Sequence, residues 1–192
     1  MARHKEFDRE AVLEQAVKAF ANRGFGGTST DDLLTAMGIS RQSLYDTFGD
    51  KKQLYLAALR HYNEQNVSHL VRVLNTAVSP LKGIEAALLE FASRPAAEAP
   101  LGCMGVSAVC EWGRSDDHIT AITDAMGTAL LAALERRFID AKALGEVSSE
   151  LDAASAARFV GSSLSGLKVT ARAGATSAEL RAIVQMTLRS FA

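Results

Sequence analysis

Arg41, Gln42 and Ser43 follow one another directly after Ser40, inside the segment ISRQSLYDTFGDKKQLY that spans residues 39–55. Arginine carries paired donors, and glutamine carries a donor beside an acceptor. These patterns match the edges that guanine and adenine show in a DNA major groove. Tyr45, Thr47 and Lys51, a few residues further on, bring the hydroxyl and ammonium groups that bind phosphate oxygens. The chemistry suggested by these types at this spacing is duplex reading, with a short row of base-edge donors flanked by phosphate contacts.

Such side chains work only when a rigid element holds them, and the flanking residues supply one. Ser40 can cap a helix beginning at Arg41, in which Leu44 and Phe48 face inward and the polar residues outward. Upstream, Ser29 with Asp32 three residues later forms the pattern of a capping box, opening a helix that carries Leu33, Leu34 and Met37 and ends at Gly38. Two short helices joined at Gly38-Ile39 have the layout of a helix-turn-helix, whose second helix enters the major groove. Before them, DREAVLEQAVKAFANRG repeats Leu13, Ala16, Val17 and Phe20 at spacings of three and four, with Asp8 suited to the start and Gly24 to the stop. After the Gly49-Asp50 break a long fourth helix follows. Its start offers N–H groups and a positive dipole end to a phosphate. Lys52 fits a phosphate contact and a solvated surface charge equally well.

Beyond residue 63 the helices lengthen. Pro80, Pro95 and Pro100 punctuate the first part, and Ile119 to Lys142, Leu151 to Arg172 and Ser177 to Phe191 read as three long helical segments. No stretch reads as a confident strand and no fixed-period repeat is present. The expected fold is all-α, with a trihelical head over residues 1–50 and a larger helical body over residues 51–192.

Composition narrows the classes further. At 192 residues, 48% hydrophobic and 22% charged, the chain matches a globular protein rather than a disordered or fibrous one. Its longest uncharged stretch, Ala99 to Cys110, falls far short of the roughly 20 apolar residues that span a bilayer. With no apolar block after a basic start, the expected address is the cytoplasm, with no membrane partner. The net charge is −1, and residues 1–62 hold nine Lys and Arg against eight Asp and Glu. Charge alone therefore does not favour a nucleic-acid partner, although a local basic footprint is what matters for DNA. Arg3, His4 and Lys5 suit either a frayed end or a basic arm reaching into a neighbouring groove.

The run TSTDDLLTAMGISRQSLYDTFGDKKQLY resembles the DNA-binding head of the TetR family of bacterial transcriptional regulators, and the likeness extends over about residues 8–60. In that family a Thr-rich helix start, a Gly-hydrophobic-Ser turn, a Leu-Tyr pair, a Phe and a Lys recur in this order. The resemblance implies that Arg41, Gln42 and Ser43 read bases, that Ser29 and Thr30 contact phosphate at the second helix, and that Tyr45, Thr47 and Lys51 clamp the backbone. It implies a repressor that binds a palindromic double-stranded DNA operator as a homodimer and is released by a small-molecule inducer. The pairing is placed on the last two long helices, where Ala157, Gly161 and Ser165 stand four apart among Phe159, Val160, Leu164 and Leu167. An intrachain packing face explains the same pattern.

The resemblance also implies a ligand cavity in the body, for which Phe91, Cys103, Ser107, Cys110, His118 and Met126 are the candidate walls. Cys103 and Cys110, seven apart, raise a thiol-redox or metal-responsive alternative. On one unbroken helix their Cα atoms lie about 10.5 Å apart along the axis, beyond the roughly 7 Å reach of a disulfide, and the same gap opposes chelation by both. Both thiols are expected as small buried hydrophobes, Trp112 as core, and His118 as a helix cap. No metal or cofactor is expected. A helical small-molecule binder or an enzyme is a further alternative, but no nucleophile, base and orienting group stand in a recognisable motif.

Overall fold

The computed structural model describes residues 7–92 and 103–191, so the Arg3, His4 and Lys5 arm lies outside the described residues, as do Pro95 and Pro100. Among the described residues every regular element is helical: α1 (Arg9–Arg23), α2 (Thr30–Met37), α3 (Arg41–Phe48), α4 (Lys51–Thr76), α5 (Pro80–Ala92), α6 (Met104–Trp112), α7 (Asp117–Ala143), α8 (Ala153–Arg172) and α9 (Ser177–Arg189).

Helix boundaries follow local chemistry. The Asp8 carboxylate accepts from the Glu10 N–H to open α1, and Ser40 does the same for α3 by accepting from the Ser43 N–H. Ser29 and Asp32 form a reciprocal capping box that satisfies two otherwise unpaired donors at the start of α2. Gly38 ends α2 in the left-handed conformation, with φ of 65°, which a residue bearing a Cβ adopts only at a cost. That conformation turns the chain sharply enough for α3 to begin three residues later. Pro80 occupies the first position of α5, where its missing N–H has no partner to lose.

The chain forms two compact units, and their limits differ from the expected division at residue 50. The first unit takes in the described residues up to Glu64 together with Cys103–Thr123, so it includes all of α6 and the start of α7. Its core joins Leu13, Ala16 and Phe20 of α1, Leu33 of α2, Leu44 and Phe48 of α3, Leu54, Tyr55 and Leu59 of α4, and Met104 and Ala108 of α6. Each large apolar side chain removed from water in this way contributes about 1.5–3 kcal/mol. The second unit holds the remaining described residues, and its core runs through Ile84 and Leu88, Leu134 and Phe138, Val160, Leu164 and Leu167, and Val184.

Ala157 and Gly161 of α8 serve this second core, whereas Ser165 is exposed. Ala157, Val160, Gly161, Leu164 and Leu167 are buried within the single chain, and a Cβ built at Gly161 would lie 3.2 Å from the Leu131 side chain. That corrects the placement of a partner surface on them: intrachain packing accounts for their size. The apolar side chains that α8 and α9 leave exposed are Phe159, Val169, Ile183 and Met186.

Candidate nucleic-acid interface

The turn between α2 and α3 places one polar row outward. On α3, Leu44 is fully buried and Phe48 nearly so, whereas Arg41, Gln42 and Tyr45 are exposed. The two anchors therefore fix which way the other residues point. Arg41 and Gln42 each already have an acidic partner close in sequence. The Arg41 guanidinium pairs with Asp31 of α2 at 2.5 Å, with 52% and 81% of the two side chains exposed. The Gln42 amide donates to Asp46 at 2.9 Å. Asp46 is thus turned toward its own helix. The Ser43 hydroxyl lies 2.9 Å from that of Ser40.

These partners do not block reading. An exposed ion pair contributes at most about 1 kcal/mol, whereas a well-placed base contact supplies about 1–3 kcal/mol. The arrangement can therefore exchange its internal partners for bases.

The phosphate-binding candidates separate on inspection. Thr30 begins α2 half-buried, and Tyr45 is 47% exposed. The Ser29 hydroxyl, in contrast, donates to the Asp32 carboxylate at 2.6 Å and accepts from the Asp32 N–H. Its proton is engaged in the cap, so a phosphate contact by Ser29 would have to replace that bond. These bonds from Ser29, with Arg23 adding charge, hold the Asp32 carboxyl below its ordinary range. The Thr47 hydroxyl oxygen is buried without a hydrogen-bond partner, so a phosphate contact there needs a turn of the side chain. Lys51 lies with Nζ 4.1 Å from the centre of the Phe25 ring, a cation–π contact that positions the ammonium. Lys52 pairs with Asp116 at 2.5 Å, and that hydrogen bond is the leading cause of the lowered Asp116 pKa. At the start of α4 the Asp50 carboxylate takes the Gln53 N–H, leaving fewer donors there for a phosphate than the helix start alone suggests.

The six cavity candidates divide between the units: Cys103, Ser107, Cys110 and His118 fall in the first, Phe91 and Met126 in the second. The two described clefts, one near Ser79, Arg137 and Leu144 and one along Asn66, His69 and Arg72, contain none of the six. Cys110 is exposed and Cys103 half-buried at the start of α6, so neither is the buried hydrophobe expected. His118 does not cap α7. The Asp116 carboxylate does so, accepting from the N–H groups of His118 and Ile119. Trp112 packs as expected of a core residue, edge-on to Phe25 at 5.2 Å and tilted against Tyr55 at 6.3 Å. Tyr55 has its phenol pushed up by burial. Among the described residues no group of three His, Cys, Asp or Glu side chains could hold a metal.

Sequence reasoning missed Glu111. Its carboxylate accepts from the backbone N–H groups of Phe25 at 2.8 Å and Gly26 at 2.6 Å. No periodicity announces a contact across 85 residues, but the glycine-rich turn GFGG was a signal that something approaches the backbone closely.

Comparison with known proteins agrees with this geometry. Residues 12–58 match the model of bacterial regulatory proteins of the TetR family. Over 98% of both chains, the sequence is 30% identical to the uncharacterised HTH-type transcriptional regulator YezE of Bacillus subtilis. The chain belongs to the TetR family. A further relative is the HTH-type transcriptional repressor ComR of Escherichia coli, 27% identical over 97% of this chain and 90% of ComR. The solved structure of the TetR-family regulator CifR, a cysteine mutant complexed with 26-base-pair operator DNA, superposes with a TM-score of 0.87 at 30% identity over 99% of this chain and all of CifR. The all-helical fold is that of the family, and the chain is a DNA-binding transcriptional regulator rather than an enzyme. No helix among the described residues is long and apolar enough to cross a membrane.

Proposed function

We propose that this TetR-family regulator is a homodimeric cytoplasmic repressor that reads a two-fold symmetric operator with Arg41, Gln42 and Ser43 and leaves it when a small molecule binds. The observation that carries this is the outward row on α3, held in place by Leu44 and Phe48 beneath it. Thr30, Tyr45 and Lys51 contact the flanking phosphates. One head reads a single half-site, and a two-fold dimer reads two, one helical turn or a multiple of it apart. The exposed Phe159, Val169, Ile183 and Met186 on α8 and α9 support pairing there, because apolar side chains of this size gain by leaving water. The repressor named ComR and the operator-bound CifR support the sign and the partner. Release requires a ligand that prefers the conformation in which the two heads fit the operator poorly.

The test is selection from a random duplex pool by the purified protein at near-physiological salt. A two-fold symmetric consensus is the expected result, and no enrichment overturns the proposal. A second reading, release by thiol chemistry, is favoured by the exposure of Cys110. A Cys103→Ser, Cys110→Ser double variant decides between them. If small-molecule release alone operates, the parent and the variant bind the operator equally with and without oxidant, whereas an oxidant response lost in the variant establishes the thiol route.

A further inference from the structure

The α1–α2 turn is an anion-binding nest, and the protein fills it itself. Phe25 and Gly26 aim consecutive N–H groups at the two oxygens of the Glu111 carboxylate, the arrangement by which turns elsewhere bind phosphate. The approach is close enough that a side chain on either glycine would push the carboxylate aside. A Cβ at Gly24 would lie 2.9 Å from one Glu111 oxygen, and one at Gly26 would lie 3.0 Å from the other. The turn is closed across its base by the Thr28 hydroxyl, which donates to the Gly24 carbonyl at 2.6 Å. On its inner side Phe25 lies edge-on to Tyr55 and to Trp112, the residue after Glu111.

This turn leads directly into Ser29, the cap of α2, and α2 carries Asp31, the partner of Arg41 on α3. The end of α6 therefore holds the entry to the helix-turn-helix by two charge-assisted hydrogen bonds and one ring contact. Hydrogen bonds of that kind are shorter and stronger than neutral ones. They run to backbone, so they fix the path of the chain rather than the pose of one side chain.

We propose that Glu111 is a positioning residue for operator recognition: its carboxylate locks the Gly24–Gly27 turn and so sets where α2 and α3 meet the duplex. Glu111 touches no base and no phosphate. It acts through the turn, to which its two oxygens bind separately. The inference rests on the DNA-reading assignment above, and a parent protein that selects no consensus would overturn that assignment rather than this one.

The experiment uses the full chain and the operator selected by the parent. In Glu111→Gln an amide replaces the charge, and one of the two turn donors faces an NH2 group in place of an acceptor. The expected result is a folded protein by Trp112 fluorescence, with Phe25 and Gly26 amides exchanging at least tenfold faster. Its operator affinity falls roughly tenfold, with non-specific affinity and salt slope unchanged. Gly26→Ala approaches the same contact from the other side. It should lower operator affinity alone, and combining it with Glu111→Gln should add little, since both break one interaction. Parent-like operator affinity in Glu111→Gln overturns the proposal. So do equal losses on operator and non-specific DNA, unprotected Phe25 and Gly26 amides in the parent, or strictly additive effects of the two substitutions.

Discussion

Helices α3 and α6 are eight and nine residues long and belong to the same compact unit, yet they handle polar chemistry in opposite ways. On α3 the polar groups point out, and their partners are near in sequence: Asp46 lies four residues from Gln42, and Asp31 ten from Arg41. Those partners are exposed side chains, which a ligand can displace. On α6 the buried face is apolar, through Met104 and Ala108. Its polar reach is the Glu111 carboxylate, which binds backbone N–H groups 85 and 86 residues away. The first arrangement is exchangeable and suits recognition. The second is fixed and suits a frame.

The sharpest way to break this contrast is to test whether α6 truly belongs to the frame. Met104→Ala and Leu44→Ala remove fully buried side chains from one core, and each should destabilise that unit by about 2–5 kcal/mol in urea unfolding followed by Trp112 fluorescence. A Met104→Ala protein with an unchanged midpoint would separate α6 from the head. Arg41→Ala comes next, with a loss of about 1–3 kcal/mol confined to one operator position, measured on operator variants. Uniform weakening on all sequences would make Arg41 a phosphate contact.

Ser40→Ala removes the α3 cap and should lower stability by about 1 kcal/mol, with base preferences retained. Altered preferences would mean that the cap also orients the reading row. The smallest effect is expected from Asp31→Asn, which frees Arg41 from an exposed pair. Operator affinity should rise no more than about fivefold, the limit set by roughly 1 kcal/mol. A fall in affinity would show that Asp31 orients Arg41 for the base rather than competing with it.

What the sequence revealed about this unit was whatever chemistry acts between near neighbours. The Ser29–Asp32 box, the Ser40 cap, the Gly38 stop and the inward Leu44 and Phe48 all depend on residues within four positions of one another, and each stands in the structure as its spacing implies. The limits of the units escaped this kind of reading. Met104 and Ala108 look equally apolar whether they line a cavity or complete the core beneath α1, and only the fold decides. Ala157 and Gly161 present the same ambiguity, since small residues at four-residue spacing suit any close helix contact, and here the neighbour is Leu131 of the same chain. The surroundings of Ser29 and Thr47 escaped the sequence for a subtler reason. Their hydroxyls have the right chemistry for phosphate, but the cap claims one and burial claims the other.

The pairing of Arg41 with Asp31 bears on how the protein finds its site among the many wrong ones. A guanidinium without a partner would grip whichever guanine it met, and each such stop would slow travel along the duplex. If Arg41 reads a base as proposed, a carboxylate beside it sets a competitor worth at most about 1 kcal/mol, which a base edge with two acceptors outweighs and a weaker contact does not. Under the proposed reading, this exposed pair, 2.5 Å across, shortens stops on random sequence by no more than about fivefold.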